Sequence, residues 1–219
     1  MSHSDWEYLQ DEAQCAMIEE GIATRQRDQI AGVLGTYGDA VQERIDECLN
    51  DAKQHQSSSQ YKAAVVSSVT VIELILRHLI IRPVVEGAFL SEEWADMLVS
   101  KILARRSGTD RELLPSVLRV WSIDLPGLQL KDGRALWKTF TSEIVPKRNR
   151  IVHNGEPAVE ADAETAIACA EAFLADVVSP LSDKFGFSWS VSRQWNPTTQ
   201  GIGGATSSSY FTPHSPFET

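Results

Sequence analysis

Cysteine is scarce in this chain. Cys15, Cys48 and Cys169 are three cysteines in 219 residues; they lie far apart and form no C-x-x-C pair. A disulfide framework needs an even set of cysteines and a structural zinc site needs clustered ones, so both are disfavoured. We therefore expect reduced thiols in a cytoplasmic protein, with no bound metal and no cofactor.

Two targeting signals are also missing. Residues 1–7 have neither a basic n-region nor an apolar h-region, which predicts that no signal peptide is present. The longest apolar run, 63–81, carries Glu73, Arg77 and His78 in its second half. Such charges are costly inside a bilayer, so this run predicts a buried helix and no membrane partner.

Positive charge is in short supply. Lys and Arg number 20 against 30 Asp and Glu, which gives a formal net charge of −10. An acidic body repels a duplex or a tRNA at long range, which argues against a general nucleic-acid coat. The stretch 134–153 is the exception, because it contains five cations and only one carboxylate, Glu143. A small basic site on an acidic body suits contact with a few phosphates. Its cations are Arg134, Lys138, Lys147, Arg148 and Arg150.

Apolar residues recur at helical spacing along most of the chain, which predicts an all-α fold. Stop signals divide the pattern: Gly35–Gly38 separates the first two helices, Pro83 ends the third, and Pro146 kinks or breaks the helix that Asp132 caps. The predicted helices cover 5–20, 39–55, 61–82, 92–105, 109–121, 134 onward and 160–181.

The pattern changes near Gly186. Phe185, Phe187, Trp189 and Val191 alternate with small or polar residues, which is typical of a strand. From residue 196 the chain turns to Gly, Ser, Thr and Pro, a composition that cannot fold alone. We expect a short, irregular and partly extended segment that packs on the body or on a partner.

The most informative motif lies at 147–155, which reads Lys-Arg-Asn-Arg-Ile-Val-His-Asn-Gly. On a helix, residues four apart share a face, so Asn149 and His153 point the same way, with Arg148 beside them. Asn154 and Gly155 form a helix-stop signal directly afterwards. The motif offers a fixed cation, an amide and a group that exchanges protons near neutral pH, which are the groups that phosphodiester cleavage needs.

This arrangement resembles the HEPN superfamily (higher eukaryotes and prokaryotes nucleotide-binding), whose ribonucleases carry Arg-Asn-x-x-x-His near a helix end in a small helical bundle. The resemblance covers 38–184 as a helix pattern, and only 148–153 is motif-specific. It implies an HEPN-like domain at 38–184, preceded by a helical segment at 1–37 and followed by an extension at 185–219.

The resemblance implies a metal-independent endoribonuclease that leaves a 2′,3′-cyclic phosphate and acts as a toxin or antiviral defence effector. Such enzymes generally work as homodimers with the two motifs facing each other, and a cognate antitoxin or defence protein is a possible partner. One branch has a tyrosine two residues after the histidine, which its partner modifies. Gly155 stands there in this chain, which puts that route of neutralisation in doubt.

Each catalytic candidate has a structural alternative. Arg148 would stabilise negative charge on the phosphoryl oxygens, or would only favour a helix C-terminus together with its neighbouring cations. His153 would act as general base or acid, or would be a satisfied capping histidine. Asn149 would hold the histidine or a phosphate, or would stabilise the helix end.

Two further residues are predicted to support the site. Glu73 lies midway along an apolar helix, where a carboxylate needs a partner. Arg77, four residues on, is the simpler partner, and Arg148 on another helix is the alternative. Arg150 is expected at the rim of the site. At the level of the whole protein, the alternatives to a ribonuclease are a non-catalytic HEPN module that binds a protein or nucleotide, and an unrelated helical adaptor.

Overall fold

The computed structural model describes residues 3–87, 110–189 and 195–196, and these are mostly helical. The predicted helix at 92–105 lies outside the described residues. Three helical rods contain a π-helical turn each, called π1, π2 and π3. In chain order the elements are α1 (His3–Ser57), α2 (Tyr61–Leu74), π1 (Ile75–Ile81), α3 (Arg82–Gly87), α4 (Asp110–Val120), a 3-10 turn (Leu125–Gly127), α5 (Leu136–Thr139), π2 (Phe140–Ile144), α6 (Val145–Asn154), α7 (Glu160–Phe173), π3 (Leu174–Val178) and α8 (Ser179–Lys184).

Helix α1 is continuous through Gly35–Gly38, where the sequence predicted a break. That prediction is wrong because these glycines serve packing. The ring of Phe187 lies 3.5 Å from the position that a Cβ on Gly35 would take, and the Trp195 ring overlaps the position of a Cβ on Gly38. The predicted boundary between residues 37 and 38 therefore falls inside one unbroken helix.

Three prolines lie inside helical rods without ending them. Pro83, Pro146 and Pro180 each come two residues after a π-helical turn. The residue before each proline donates its backbone N–H to the carbonyl five positions back instead of four. A widened turn makes room for the proline ring against the preceding turn. The prediction that Pro83 ends its helix is wrong, and the backbone also stays helical through Pro146.

The core forms where α1, α2 and α7 pack together. Their inward faces carry aliphatic side chains at helical spacing, and the smaller rods close the ends. Cys48 and Cys169 are free thiols, and burial raises the pKa of Cys169 to about 12. Fully or nearly fully buried side chains include Val41, Ile45, Val65, Val69, Ile72, Leu79, Leu118, Leu136, Ala166, Phe173 and Leu181.

The described part of the C-terminal extension packs on the body. Trp189 donates its indole N–H to Gln42 on α1 at 2.9 Å, and the Trp195 backbone N–H bonds to Asp39 at 2.7 Å. Phe187 and Trp195 meet edge to face at 5.3 Å between ring centroids. No strand occurs among the described residues, and Val191 lies outside them. Phe187 and Trp189 of the alternating set pack against α1, and Phe185 meets the Trp121 ring edge to face.

The connection before the motif rod is a tight turn. The Asp132 carboxylate accepts a hydrogen bond from the backbone N–H of Arg134 at 3.0 Å, and α5 begins only at Leu136 after the non-capping residue Ala135. Asp132 was predicted to cap this helix; it stabilises the turn instead. An antiparallel bridge joins Gln129 to Ala135.

Two rods in the described part, Tyr61–Glu86 and Glu160–Lys184, are long and apolar enough to cross a membrane by length and composition alone. In each, 56% of the most apolar stretch is buried within the protein. The core helix of a globular protein gives the same pattern.

A pair of glycine substitutions in α1 tests the packing of the extension. Gly38→Ala should destabilise the protein by about 1–3 kcal/mol, because its methyl group would overlap the Trp195 ring. Gly32→Ala is the matched control: no atom lies within 4 Å of its Cβ position, so it should stabilise the same helix by about 0.5–1 kcal/mol. Urea unfolding measures both. Equal effects would show that Trp195 does not pack at Gly38.

Candidate functional site

The motif occupies α6, a short helix whose inner side is fixed by burial. Ile151 on α6 and Ile144 just before it are buried in the core. Gly155 ends the helix with a φ of 69°, a left-handed conformation that glycine adopts without strain. Its N–H bonds to the Ile151 carbonyl at 3.0 Å. The remaining faces of α6 are consequently held at the surface.

Arg148 lies on the flank of α6 that faces α2. Its Nη2 atom donates to both carboxylate oxygens of Glu73 at 3.2 Å, and its Nη1 atom donates to the side-chain oxygen of Asn149 at 3.1 Å. The side chain is 26% exposed, and its Nε atom is buried without a partner in the described part of the chain. The guanidinium is therefore held in one place, with limited access to solvent.

The partner of Glu73 is thus Arg148 rather than Arg77. Among the residues that the structure describes, Glu73 makes no ion pair with Arg77, the simpler of the two predicted partners. The Glu73 side chain is also 51% exposed, so the carboxylate is not buried in the apolar helix as its sequence position indicated. Its place at the edge of α2 lets it orient the guanidinium without a large desolvation cost.

His153 lies in the last turn of α6 and is exposed. It makes no hydrogen bond or ion pair with any described residue, so it is not held as a capping histidine there. Asn149, one turn earlier, bonds to Arg148 and not to His153. The predicted role of Asn149 in holding the histidine is not what the structure shows; its amide positions the guanidinium.

Lys147 and Arg150 lie on the opposite flank of α6, where carboxylates neutralise them. Lys147 bonds to Glu156 at 3.0 Å and to Asp162 at 3.1 Å, and Arg150 bonds to Glu156 at 2.7 Å. The pKa of Glu156 lies below its ordinary value, first because of the hydrogen bond from Lys147 and then because of that from Arg150. The same contact with Glu156 raises the pKa of Lys147.

A cleft of about 320 Å³ opens on this flank. It lies between π2, α6 and α7, and Arg150 is at its edge, half exposed at 49%. Charged and hydroxyl side chains form most of its walls, namely those of Ser142, Glu143, Lys147, Arg150, Asp162 and Thr165.

Sequence reasoning missed one cation at the site. The Lys62 ammonium donates to the Gly155 carbonyl at 2.6 Å, which places it at the end of α6, two residues beyond His153. Its position in the first turn of α2, 93 residues from Gly155, gave no local signal. Glu156 and Asp162 were also missed, although their spacing from Lys147 and Arg150 is short.

Comparisons with protein-family models, with curated proteins and with solved structures give no match for this chain.

The network around Glu156 makes a prediction about acid stability. Because the folded-state pKa of Glu156 is depressed, its contribution is present at neutral pH and is lost as the pH falls through that pKa. Glu156→Gln should therefore have a lower melting temperature than the wild type at pH 7. On acidification to about pH 3, its melting temperature should fall by less than that of the wild type. Thermal unfolding followed by circular dichroism measures this difference, with Glu47→Gln on α1 as control. Parallel pH curves for Glu156→Gln and the wild type would contradict the assignment.

Proposed function

We propose that this protein is a metal-independent endoribonuclease of the HEPN type, which acts as a toxin or antiviral defence effector. The observation that carries the proposal is the orientation of Arg148 by two partners, Glu73 and Asn149, on a short helix whose next turn exposes His153. A positioned guanidinium and an exposed imidazole on one short helix supply both charge stabilisation and proton transfer.

The reaction uses the RNA 2′-hydroxyl as the nucleophile and needs a base, an acid and a cation from the protein. A base takes the proton of the ribose 2′-hydroxyl, and the 2′-oxygen forms a bond to phosphorus. The bond from phosphorus to the 5′-oxygen breaks, and an acid gives that oxygen a proton. The products are a 2′,3′-cyclic phosphate and a 5′-hydroxyl. Arg148 stabilises the negative charge that builds on the non-bridging oxygens, and His153 carries a proton.

Two proton transfers on opposite sides of one phosphate call for two groups, whereas one motif has a single histidine. A homodimer related by a two-fold axis supplies the second, with residues 134–153 of each protomer at or beside the interface and Arg150 at its rim. Val152, between the candidate residues in sequence, has an apolar side chain that is 51% exposed and available for such a contact.

One observation favours the alternative, a non-catalytic HEPN module that binds a protein or nucleotide partner. The Arg148 charge is already neutralised by Glu73, as in a structural ion pair. If the protein is such a module, breaking the Arg148–Glu73 pair should abolish partner binding, and the protein should not cleave RNA in either form. A cognate antitoxin or defence-system protein is the partner class proposed in either case.

The first functional prediction concerns RNA cleavage. The purified protein should digest total RNA in EDTA, and His153→Ala should lower the rate by about 10²–10⁴ because a proton-transfer group is lost. Arg148→Ala should lower it by about 10²–10³ through loss of charge stabilisation. The products should be sensitive to phosphatase only after the cyclic phosphate has been opened.

Two residues on α1 provide matched controls, since neither has a hydrogen bond or ion pair with α6 among the described residues. His55→Ala removes a histidine that bonds to Gln60, and Arg44→Ala removes an arginine that pairs with Glu47. Both should keep full activity, and circular dichroism should show that all four variants stay folded. Activity that EDTA abolishes and magnesium restores would sink the histidine mechanism. An unfolded Arg148→Ala protein would identify Arg148 as structural.

The second functional prediction concerns the shared site. Inactive Arg148→Ala and inactive His153→Ala proteins, unfolded together and refolded as a mixture, should regain partial activity, because the mixed dimer contains one intact copy of each side chain. Sedimentation should show a dimer at the assay concentration. A fully active monomer would refute the composite site.

A further inference from the structure

Each cation of the motif helix is paired with a carboxylate of the fold, so α6 carries little net positive charge. Lys147 pairs with Glu156 and Asp162, and Arg150 pairs with Glu156. Arg148 pairs with Glu73. The local excess of cations counted along the sequence therefore does not remain as free charge at the surface of α6. An RNA strand held at the site needs cations from elsewhere.

The α2 rod supplies two such cations. Lys62, in its first turn, is exposed and donates one hydrogen bond to the Gly155 carbonyl at 2.6 Å, which leaves two of its three donors available. Arg77 lies in π1, about one turn beyond Glu73, and is half-buried. Within the described residues, neither side chain forms an ion pair with a carboxylate.

These two cations lie on either side of Arg148 along the rod. Lys62 contacts Gly155 and Glu73 contacts Arg148, so α2 and α6 run antiparallel. From the rise of a helix, Lys62 lies ~16 Å from Glu73 along the axis, and Arg77 lies ~6 Å beyond Glu73 on the other side. The order along the surface is therefore Lys62, then Arg148, then Arg77.

We propose that Lys62 and Arg77 bind backbone phosphates of a single RNA strand on either side of the phosphate held at Arg148. A row of cations along one helix follows one strand, and sequence-independent binding of a single strand relies on such a row. The net charge of −10 confines the strand to this row, because the rest of the body repels it. This inference rests on the proposed ribonuclease function and assigns its substrate-binding surface.

The test measures binding apart from cleavage. A fluorescein-labelled oligouridylate is titrated against His153→Ala protein by fluorescence anisotropy at several salt concentrations. Each lost phosphate contact should reduce the slope of log affinity against log salt by about 0.7 for a single strand. Adding Lys62→Met and Arg77→Met together should therefore reduce the slope by about 1.4 and weaken binding most at low salt.

Charge-matched and conservative variants separate binding from folding. Arg119→Met with Lys131→Met removes two exposed cations on α4 and the following loop, and should leave the slope unchanged. Lys62→Arg keeps a cation and a donor for Gly155 and should restore the slope that Lys62→Met loses. An unchanged slope in Lys62→Met with Arg77→Met, or an equal fall in the control pair, would overturn the inference while leaving cleavage intact. If the wild-type protein neither cleaves nor binds RNA, the proposed function itself is rejected.

Discussion

Burial of the inner side of α6 is the constraint on which the candidate site depends. Ile151 and Ile144 are buried, and each such side chain contributes roughly 1.5–3 kcal/mol. The ion pair between Arg148 and Glu73 is partly exposed, and pairs of this kind contribute only about 0–1 kcal/mol. Apolar packing therefore sets where α6 lies, and the ion pair sets where the guanidinium points. The site can tolerate a weak polar contact because its scaffold does not rely on it.

Electrostatic balance at the site is a tertiary property. The carboxylates that neutralise the motif come from three places: Glu73 on α2, Glu156 after the helix end, and Asp162 at the start of α7. Asp162 also accepts a hydrogen bond from the Val159 N–H. The same carboxylate therefore fixes the start of α7 and holds Lys147. Such sharing makes the loop after Gly155 part of the site's architecture, although it carries no candidate catalytic residue.

The sequence was sufficient for the helical class and for most helices, because apolar periodicity follows directly from the buried faces of α1, α2 and α7. It was misleading where glycine and proline serve packing or a widened turn, as at Gly38 and Pro83. Propensity rules describe an isolated helix. The packing of Trp195 on Gly38 and the widened turn π1 before Pro83 arise only in the folded protein. The Glu73 contact was also misjudged from the sequence, which favoured the simpler partner four residues away over the partner 75 residues away.

The π-helical turn before α6 determines which way the side chains of the motif point. A π turn takes in one residue more than an α turn, and one residue corresponds to about 100° of rotation. The stretch Phe140–Ile144 therefore sets the rotational phase of every side chain that follows it on the rod. With that extra residue removed, the face carrying Asn149 and His153 would turn by about a quarter of a circle and Arg148 would leave Glu73. The direction in which the candidate catalytic side chains point is thus set by Phe140–Ile144, a segment that contains none of them.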